Sequence, residues 1–293
     1  MSDRPTIVAA AGVFDGVHTG HRHLLDCVRA EADRTGGTTL AVTFDRHPLE
    51  VIAPERCPLM LTLPGRRREL LEALPQTDKV AVLHFDGDMR RRTAAGFMRL
   101  LRERYGVTHL VMGYDHGFGS DCRGAGTDHY IKAGAQAGVA VSRADRFVLD
   151  GTVVSSTAIR TMLADGDTDG AARLLGRPHI IEGQVVSGRR LGRKIGFPTA
   201  NIDADPRLLL PLPGVYAATV LGRPAVLNIG VCPTVTDGNR MTVEAHIPGF
   251  DGDLYGRVLE VETGRRLRDE RKFDSLEALR AQLADDVAAL DRL

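Results

Sequence analysis

The chain has 293 residues, enough for two domains, and its composition of 43% hydrophobic and 26% charged residues allows each domain a buried core. Its 38 basic residues balance its 38 acidic residues. This balance argues against a bulk nucleic-acid binder, which usually carries a basic surplus, but it does not exclude local phosphate sites.

Cysteine spacing and hydropathy argue against a zinc-binding, a secreted or a membrane protein. The four cysteines, Cys27, Cys57, Cys122 and Cys232, show neither C-x-x-C spacing nor a Cys/His cluster of the zinc-binding kind, so we expect free thiols. The N-terminal stretch lacks the pattern of a signal peptide, and no window reaches the roughly 18 apolar residues of a membrane span. We expect a soluble, cytoplasmic protein without a membrane partner.

Short apolar runs alternate with helix-forming stretches in the first half of the chain. This order, with strands that are apolar throughout, predicts a parallel sheet covered by helices on both faces. The predicted elements are the strand Thr6–Ala11, the helix His21–Thr35, the strand Thr38–Phe44, the helix Arg66–Leu74, the strand Lys79–His84, the helix Thr93–Tyr105, the strand Thr108–Met112, the helix Thr127–Ala137 and the strand Val139–Ala144.

From about Pro178 the pattern changes to short strands separated by turn residues, which predicts a small antiparallel barrel with one packed helix. We place the domain boundary near Gly176–Pro178, giving domains 1–176 and 177–293. Leu221–Pro224 is typical of a tight hairpin. The predicted elements are the strands His179–Val186, Gly214–Leu221, Pro224–Ile229, Met241–Ile247 and Val258–Thr263, and the helix Ser275–Leu293 with Ser275 as its N-cap.

The densest polar pattern is Gly12–His21 (GVFDGVHTGH), which follows the first strand and opens the first helix. In an open α/β sheet, ligands bind at the carboxyl ends of strands, where the next helix offers N–H groups to an anion. The glycines let the backbone approach a ligand, and His18 and His21 face the same way to hold phosphate oxygens. The alternative is a glycine turn with two ordinary surface histidines, since neither commoner phosphate-loop motif is present.

This run resembles the H-x-G-H signature of the nucleotidyltransferase superfamily of α/β folds, and FDGVHTGH resembles its FAD synthetase branch. Val154–Arg160 (VSSTAIR) resembles the I-S-S-T-x-x-R pattern of the same superfamily. Its hydroxyls, backbone donors and arginine suit a phosphate, although Ser-Ser-Thr alone is more often a plain helix cap.

Two intermediate stretches also resemble this branch, with departures. Thr43–Pro48 (TFDRHP) is similar to T-F-E-P-H-P, with Asp45–Arg46 in place of Glu and Pro. Gly113–Gly119 (GYDHGFG) is similar to G-x-D-F-x-F-G, with His116–Gly117 departing from the pattern. The resemblance implies that Asp115 lies beside the flavin or nucleotide; the alternative is an ordinary turn aspartate.

A second dense pattern is Gly188–Asn201 (GRRLGRKIGFPTAN), whose glycines and cations suit a flexible loop over a polyphosphate. Thr199 and Asn201 offer hard oxygen ligands of the kind that Mg²⁺ accepts beside nucleotide phosphates. The alternative is a basic loop that runs into a strand, with these two side chains making turn hydrogen bonds.

This pattern resembles the riboflavin kinase family. In that family the stretch matching Val243–His246 carries the catalytic glutamate, which implies that Glu244 accepts the proton of the attacking ribityl hydroxyl. Strand alternation alone predicts only that Glu244 and His246 point outward and Val243 and Ala245 inward. Further matching stretches are Pro213–Tyr216, Leu227–Gly230, Asp253–Gly256 and Arg268–Glu277.

The resemblance extends from about Thr6 to Leu290 and is to the bacterial bifunctional riboflavin kinase/FAD synthetase family. It implies that the C-terminal barrel converts riboflavin and ATP to FMN, and that the N-terminal domain converts FMN and ATP to FAD and pyrophosphate. Mg²⁺ is expected in both steps. Small-molecule substrates are the expected partners, with a monomer or weak homo-oligomer.

The resemblance also implies roles for single residues. The expected catalytic residues are His18, His21, Arg160 and Glu244, and the expected metal ligands are Thr199 and Asn201. The expected ATP- or phosphate-binding residues are Gly12, Phe14, Asp15, Gly20, Asp115, Ser155, Ser156, Thr157, Gly192, Lys194 and Gly196, and the flavin-binding residues are His47, Pro48, Tyr216 and Arg268.

Two alternatives remain at this stage. The departures at Asp45–Arg46 and His116–Gly117 are compatible with a monofunctional enzyme whose adenylyl transfer is weakened or serves another substrate. The second alternative is a non-catalytic flavin-binding or regulatory module with the same fold. The presence of the histidine pair, Thr199, Asn201 and Glu244 argues against it.

Overall fold

The chain divides into two compact units, Met1–Ser155 and Ser156–Leu293, and each contains its own sheet. The residues described by the computed structural model are 6–122, 124, 126–188, 191–234 and 238–291.

The first unit is an α/β structure. Its elements are β1 (Ile7–Ala11), α1 (Thr19–Thr35), β2 (Thr38–Phe44), α2 (Leu49–Ile52), a 3₁₀ turn (Pro54–Arg56), α3 (Pro64–Glu72), β3 (Lys79–Leu83), α4 (Gly87–Arg91), α5 (Ala94–Tyr105), β4 (Val107–Met112), α6 (Thr127–Ala137), β5 (Ala140–Arg143), β6 (Val148–Leu149) and β7 (Thr152–Val153).

Five parallel strands form its main sheet in the order β3-β2-β1-β4-β5. Alternate residues of β1 enter two separate cores: Ala9 packs with residues of α5 and α6, and Val8 packs with residues of α1 and α3. This confirms the predicted parallel sheet with helices on both faces, because successive side chains of a strand point to opposite sides.

The strand order reverses at β1, which pairs with β2 on one side and β4 on the other. In open α/β sheets, ligands bind in the crevice outside the carboxyl ends of the strands at such a switch point. The topology therefore places the loops that follow Ala11 and Met112 at the expected binding edge.

The second unit contains a closed barrel of six strands in the order β10-β11-β12-β9-β8-β13, in which every neighbouring pair is antiparallel. Its elements are α7 (Ser156–Ala164), α8 (Thr168–Leu175), β8 (His179–Val186), α9 (Leu191–Lys194), β9 (Ala200–Ala204), β10 (Gly214–Val220), β11 (Arg223–Thr234), β12 (Gly238–His246), β13 (Val258–Arg268) and α10 (Leu276–Leu290).

The barrel confirms the predicted class but corrects its strands. β9 was not predicted as a strand, because its short sequence ANIDA carries little apolar signal. β11 and β13 continue to Thr234 and Arg268, beyond the predicted ends at Ile229 and Thr263. The hairpin between β10 and β11 is confirmed, with Val220 opposite Arg223 across the turn.

The two compact units meet earlier in the chain than the predicted domain boundary near Gly176–Pro178. The short helix α8, which was not predicted, is held to β13 of the barrel. Thr168 Oγ1 donates to the Gly264 carbonyl at 2.6 Å, and Arg265 pairs with Asp169 at 3.1 Å. These contacts place α7 and α8 with the barrel, while the division of function at 176 stays a prediction.

The C-terminal helix is fixed to the barrel by an ion pair. Arg268 at the end of β13 donates from Nε and Nη2 to the two carboxylate oxygens of Asp286, at 2.9 and 2.7 Å. Asp286 is only 3% exposed. Ser275 caps the helix by accepting the N–H of Ala278 at 3.1 Å, as predicted. Two parallel charge-assisted hydrogen bonds fix both the position and the orientation of the helix.

Replacing Asp286 is expected to leave the Arg268 guanidinium without its partner. We expect Asp286→Asn to lower the unfolding free energy of the second unit by about 1.5–3 kcal/mol. Urea unfolding measures the loss, and Asp285→Asn, an exposed neighbour on the same helix, serves as control. Equal stability of the two variants would contradict a holding role for the pair.

Candidate active sites

The loop between β1 and α1 has a strained backbone. Phe14 and Val17 have φ angles of 54° and 43°, and Gly16 between them has a φ of 85°. Bulky and β-branched residues rarely adopt positive φ angles. Such strain persists only where the surroundings hold it, and it is concentrated at functional sites. The strain therefore supports the prediction that this loop forms a binding site.

His18 and His21 lie side by side at the start of α1. His18 is the N-cap, and its Nδ1 accepts the backbone N–H of His21 at 3.2 Å. The two rings stack with their centroids 3.6 Å apart and their planes 14° apart. Because Nδ1 of His18 accepts this hydrogen bond, Nε2 is the ring nitrogen that carries a proton and can donate.

The surroundings of His21 hold it neutral. Burial lowers its pKa well below the ordinary value, and the nearby His18, His116 and Arg67 lower it further. Its Nδ1 is buried without a hydrogen-bond partner in the part of the chain that the structure describes. The effect of His116 on this pKa agrees with the pairing of β1 with β4, which sets the loops after the two strands at the same edge of the sheet.

Asp15 holds this loop to a second segment. Its buried carboxylate accepts the backbone N–H groups of Leu61 and Thr62 at 3.0 and 2.9 Å, and the Thr62 hydroxyl at 3.2 Å. Gly16 N–H donates in turn to Thr62 Oγ1 at 3.0 Å. These bonds give Asp15 a structural task; its predicted contact with ATP stays a prediction.

The other predicted residues of the loop contribute packing and backbone contacts. Phe14 is buried with its ring edge against His21, 5.2 Å between centroids. Gly12 N–H donates to the Val42 carbonyl at 3.0 Å. At Gly20, a Cβ atom would lie 3.2 Å from Nδ1 of His18, so a larger residue would press on that ring.

The loop after β2 is ordered by local hydrogen bonds. His47, predicted to bind flavin, donates its backbone N–H to Glu50 at 2.9 Å, and its Nδ1 accepts the N–H of Leu49 at 3.1 Å. Pro48, the second predicted flavin residue, is the N-cap of α2. Flavin binding at these two residues stays a prediction.

Asp45, the departure from the family pattern in this loop, joins β2 to the end of β3. Its carboxylate contacts the His84 ring at 2.5 Å and accepts the N–H of Phe85 at 3.0 Å. Burial acts to raise the pKa of Asp45, but the hydrogen bonds from His84 and Phe85 lower it below its ordinary value. The substitution therefore has a structural explanation.

The remaining residues predicted for the ATP site lie after β4 and around the start of α7. Asp115 is exposed in the turn after β4. Ser155 ends the first unit, and Ser156 is the first residue of α7, which carries Thr157 and Arg160 in the second unit. That these residues complete the ATP site with the histidine pair stays a prediction.

The second site is built by strand register. Glu244 on β12 lies directly opposite Asn201 on β9 and opposite Asn228 on β11. Directly opposed residues of antiparallel strands point to the same face. Thr199 Oγ1, just before β9, donates to Glu244 Oε2 at 3.2 Å. The structure thus brings Glu244 to Thr199, which lies 45 residues earlier in the sequence, and to its neighbour Asn201.

A cavity of about 460 Å³ lies beside this group. Its volume is within the range of small-ligand sites. Residues that line it include Arg193, Thr199, Ala245, Phe250 and Tyr255. A ligand in this cavity would contact Thr199, which is one hydrogen bond away from the carboxylate of Glu244.

His246 contacts the chain that leads into this site. His246 lies two residues after Glu244 and so shares its face of β12, but it is buried, only 7% exposed. Its Nδ1 bonds the Pro198 carbonyl at 2.8 Å, and its ring packs edge-on against Phe197, 5.3 Å between centroids. The chain that precedes β9 therefore covers this side chain. His246 thereby fixes the backbone next to Thr199.

The glycine-rich loop folds back on itself. Phe197 N–H donates to the Gly192 carbonyl at 2.8 Å, and a Cβ atom at Gly192 would lie 2.2 Å from the Phe197 carbonyl oxygen. Gly196 has a φ of 87°, which favours glycine. Arg189, Arg190 and the side chain of Lys194 lie outside the described part of the chain.

Two predicted flavin residues have structural partners. Tyr216 is fully buried in β10, and its hydroxyl donates to the Leu212 carbonyl. Arg268 uses its remaining nitrogen, Nη1, to donate to the Asp269 carbonyl at 3.0 Å, beside its pair with Asp286. These contacts account for both residues without a ligand, and their flavin contacts stay predictions.

Comparisons with known proteins agree with this division into two sites. The family model described as FAD synthetase matches residues 1–158, and the one described as riboflavin kinase matches residues 175–293. A bifunctional riboflavin kinase/FMN adenylyltransferase of Pseudomonas fluorescens is 42% identical, covering 96% of this chain and 91% of the relative. A protein of the same name from Escherichia coli K12 is 39% identical, covering 95% of this chain and 90% of the relative.

A solved structure described as a macrolide-efflux protein from Streptococcus pneumoniae has a TM-score of 0.88 and is 29% identical, covering 100% of this chain and 96% of that one. Within the described part of the chain, no helix has the length and apolar character needed to cross a membrane. Three observations point to the same family: the identity to named relatives over most of the chain, the matched family models and the two sites. The chain belongs to the bifunctional riboflavin kinase/FMN adenylyltransferase family.

Proposed function

We propose that this protein makes flavin cofactors in two steps, phosphorylating riboflavin in the barrel and adenylylating FMN at the sheet of the first unit. The observation that carries the proposal is the hydrogen bond between Thr199 and Glu244 beside a ligand-sized cavity. A non-catalytic flavin-binding module has no need for a carboxylate held in this way. The stacked pair His18 and His21 at the sheet's switch point supports the second step.

In the barrel, the ribityl hydroxyl oxygen of riboflavin attacks the γ-phosphorus of ATP. The bond between that phosphorus and the bridging oxygen breaks, and ADP leaves with the electron pair. Glu244 accepts the hydroxyl proton. The carboxylate already accepts a hydrogen bond from Thr199, and that bond fixes the side chain in position for the proton.

The donor atoms beside Glu244 fit Mg²⁺. The Thr199 hydroxyl and the Asn201 amide carbonyl are hard oxygen ligands, and nucleotide phosphates would complete the shell. Within the described residues, no cluster of three or more His, Cys, Asp or Glu side chains suits a metal. When bound, Mg²⁺ neutralises phosphate charge.

In the first unit, a phosphate oxygen of FMN attacks the α-phosphorus of ATP, and pyrophosphate leaves. The nucleophile is already an anion, so no protein base is required. His18 donates from Nε2, and the N-terminus of the 17-residue helix α1 adds backbone N–H groups and a favourable dipole. Neutral His21 beside it stabilises the charge that moves onto pyrophosphate.

The cellular location and the oligomeric state are also proposals. Two ATP-consuming steps suit the cytoplasm, and the thiols of Cys27 and Cys122 are not in disulfides. A monomer or weak homo-oligomer stays our prediction for the oligomeric state.

Product analysis separates the two steps. With riboflavin, ATP and Mg²⁺, we expect Glu244→Ala to stop at riboflavin and His21→Ala to accumulate FMN without FAD, each with a rate loss of about 10²-fold or more in the affected step. With FMN supplied, Glu244→Ala should still form FAD. Chromatography of the products measures all three.

Control variants keep the same residue type outside the sites. Glu262→Ala changes an exposed glutamate of β13, and His23→Ala changes a second histidine of α1. Both controls should form FAD from riboflavin. Failure of Glu244→Ala and His21→Ala at the same step would refute the proposed division of labour.

Removal of metal provides a separate test of the barrel site. Chelation with EDTA should abolish both steps, and Mg²⁺ should restore them. Thr199→Val should raise the Mg²⁺ concentration needed for riboflavin phosphorylation without changing that for FAD formation. Steady-state kinetics at varied Mg²⁺ measures this, and a parallel shift in both steps would contradict the assignment of Thr199 to one site.

A further inference from the structure

Arg67 on α3 is a fully buried cation with unsatisfied donors. Its side chain is 0% exposed. Nη2 donates to the carbonyl of Phe44, the last residue of β2. Nε and Nη1 have no hydrogen-bond partner within the described residues. Neither the sequence pattern nor the family resemblance singled out this residue, because an arginine within the run Arg66–Arg68 reads as one of several surface charges.

Leaving such a group unsatisfied is unfavourable. A buried polar atom without a hydrogen-bond partner destabilises the fold, and a charged one does so more strongly. Burial accordingly lowers the pKa of Arg67, while Asp15, Glu50 and Asp45 act at a distance to raise it. None of these carboxylates closes an ion pair with Arg67. Asp15, for example, is turned to the backbone of Leu61 and Thr62.

The position of Arg67 connects it to the proposed adenylyl-transfer site. Its bond to Phe44 places the guanidinium under the carboxyl end of β2, next to β1. Its charge is one of the causes that lower the pKa of His21. His21 has a buried atom of the same kind, Nδ1, which lacks a partner among the described residues. Both side chains belong to segments that Asp15 joins by hydrogen bonds.

The segment that carries Arg67 is held to the loop of the histidine pair. Asp15 accepts the N–H groups of Leu61 and Thr62, which directly precede α3. Arg67 N–H donates to the Leu63 carbonyl at 2.9 Å within the first turn of that helix. The loop and the start of α3 are thus one hydrogen-bonded unit, which explains how a buried arginine is kept at this edge.

We propose that Arg67 binds phosphate oxygens of a substrate in the FAD-forming step. The inference rests on the proposed function of the first unit. A guanidinium carries several N–H donors that suit phosphate oxygens, and on this one Nε and Nη1, at different edges of the group, have no partner among the described residues. The phosphate belongs either to the triphosphate of ATP or to the phosphate ester of FMN, and binding it satisfies the buried charge.

A purely structural role is the competing explanation. In it, Arg67 only braces the end of β2 through Phe44, and its loss would disturb every ligand at this edge equally. The two roles differ in one measurable respect. A phosphate ligand distinguishes phosphorylated substrates from their phosphate-free analogues, whereas a brace does not.

Kinetics of FAD formation from FMN and ATP test the proposal. Arg67→Met should raise the KM for ATP or for FMN by about 10- to 100-fold. The inhibition constants of adenosine and riboflavin, which lack the phosphate, should change less than about 3-fold. A rise confined to ATP assigns Arg67 to the triphosphate, and a rise confined to FMN assigns it to the flavin phosphate. Arg68→Met, on the same helix but paired with Glu72 at the surface, is the matched control and should behave as wild type.

Folding and the proposed function are controlled in the same samples. Riboflavin phosphorylation by the barrel reports an intact chain, and Arg67→Lys, which keeps the charge but loses the paired donors, should show a smaller rise in the same KM. If Arg67→Met does not fold, Arg67→Lys alone decides. An unchanged KM, or equal weakening of phosphorylated and phosphate-free ligands, overturns the inference. Absence of FAD formation by the wild type would instead refute the proposed function.

Discussion

The first site depends on the hydrogen bonds that the buried carboxylate of Asp15 accepts. This carboxylate accepts the backbone N–H groups of Leu61 and Thr62 and so joins the strained loop after β1 to the start of α3. The positive φ angles of Phe14 and Val17 need such a partner, because the loop is unfavourable by itself.

In the barrel, strand register positions the side chains of the second site. Pairing of β9 with β12 sets Asn201 against Glu244, and the chain entering β9 delivers Thr199 to the same carboxylate. A slip of one residue in this pairing would turn Glu244 to the opposite face. His246 prevents movement of the entering chain through its bond to Pro198. Two different architectures thus use fixed backbone to position a few polar side chains, as reactions that depend on positioning and charge require.

The sequence predicted most of the fold because the signals are local. Apolar strands such as Thr38–Phe44 and cap residues such as Ser275 carry their own information. β9 and α8 escaped prediction because tertiary partners, rather than local pattern, define them. Resemblance identified Glu244, and its contact with Thr199 needed coordinates. Burial of His246 and Arg67 could not be predicted, because in sequence a buried polar residue looks the same as an exposed one.

We expect each unit to bind its own nucleotide. Calorimetric titration with a non-hydrolysable ATP analogue and Mg²⁺ counts the sites directly. The account predicts two bound nucleotides per wild-type chain, with the barrel site alone lost in Thr199→Val and the other alone lost in His18→Ala. A single nucleotide per wild-type chain, or loss of the same site in both variants, would contradict it.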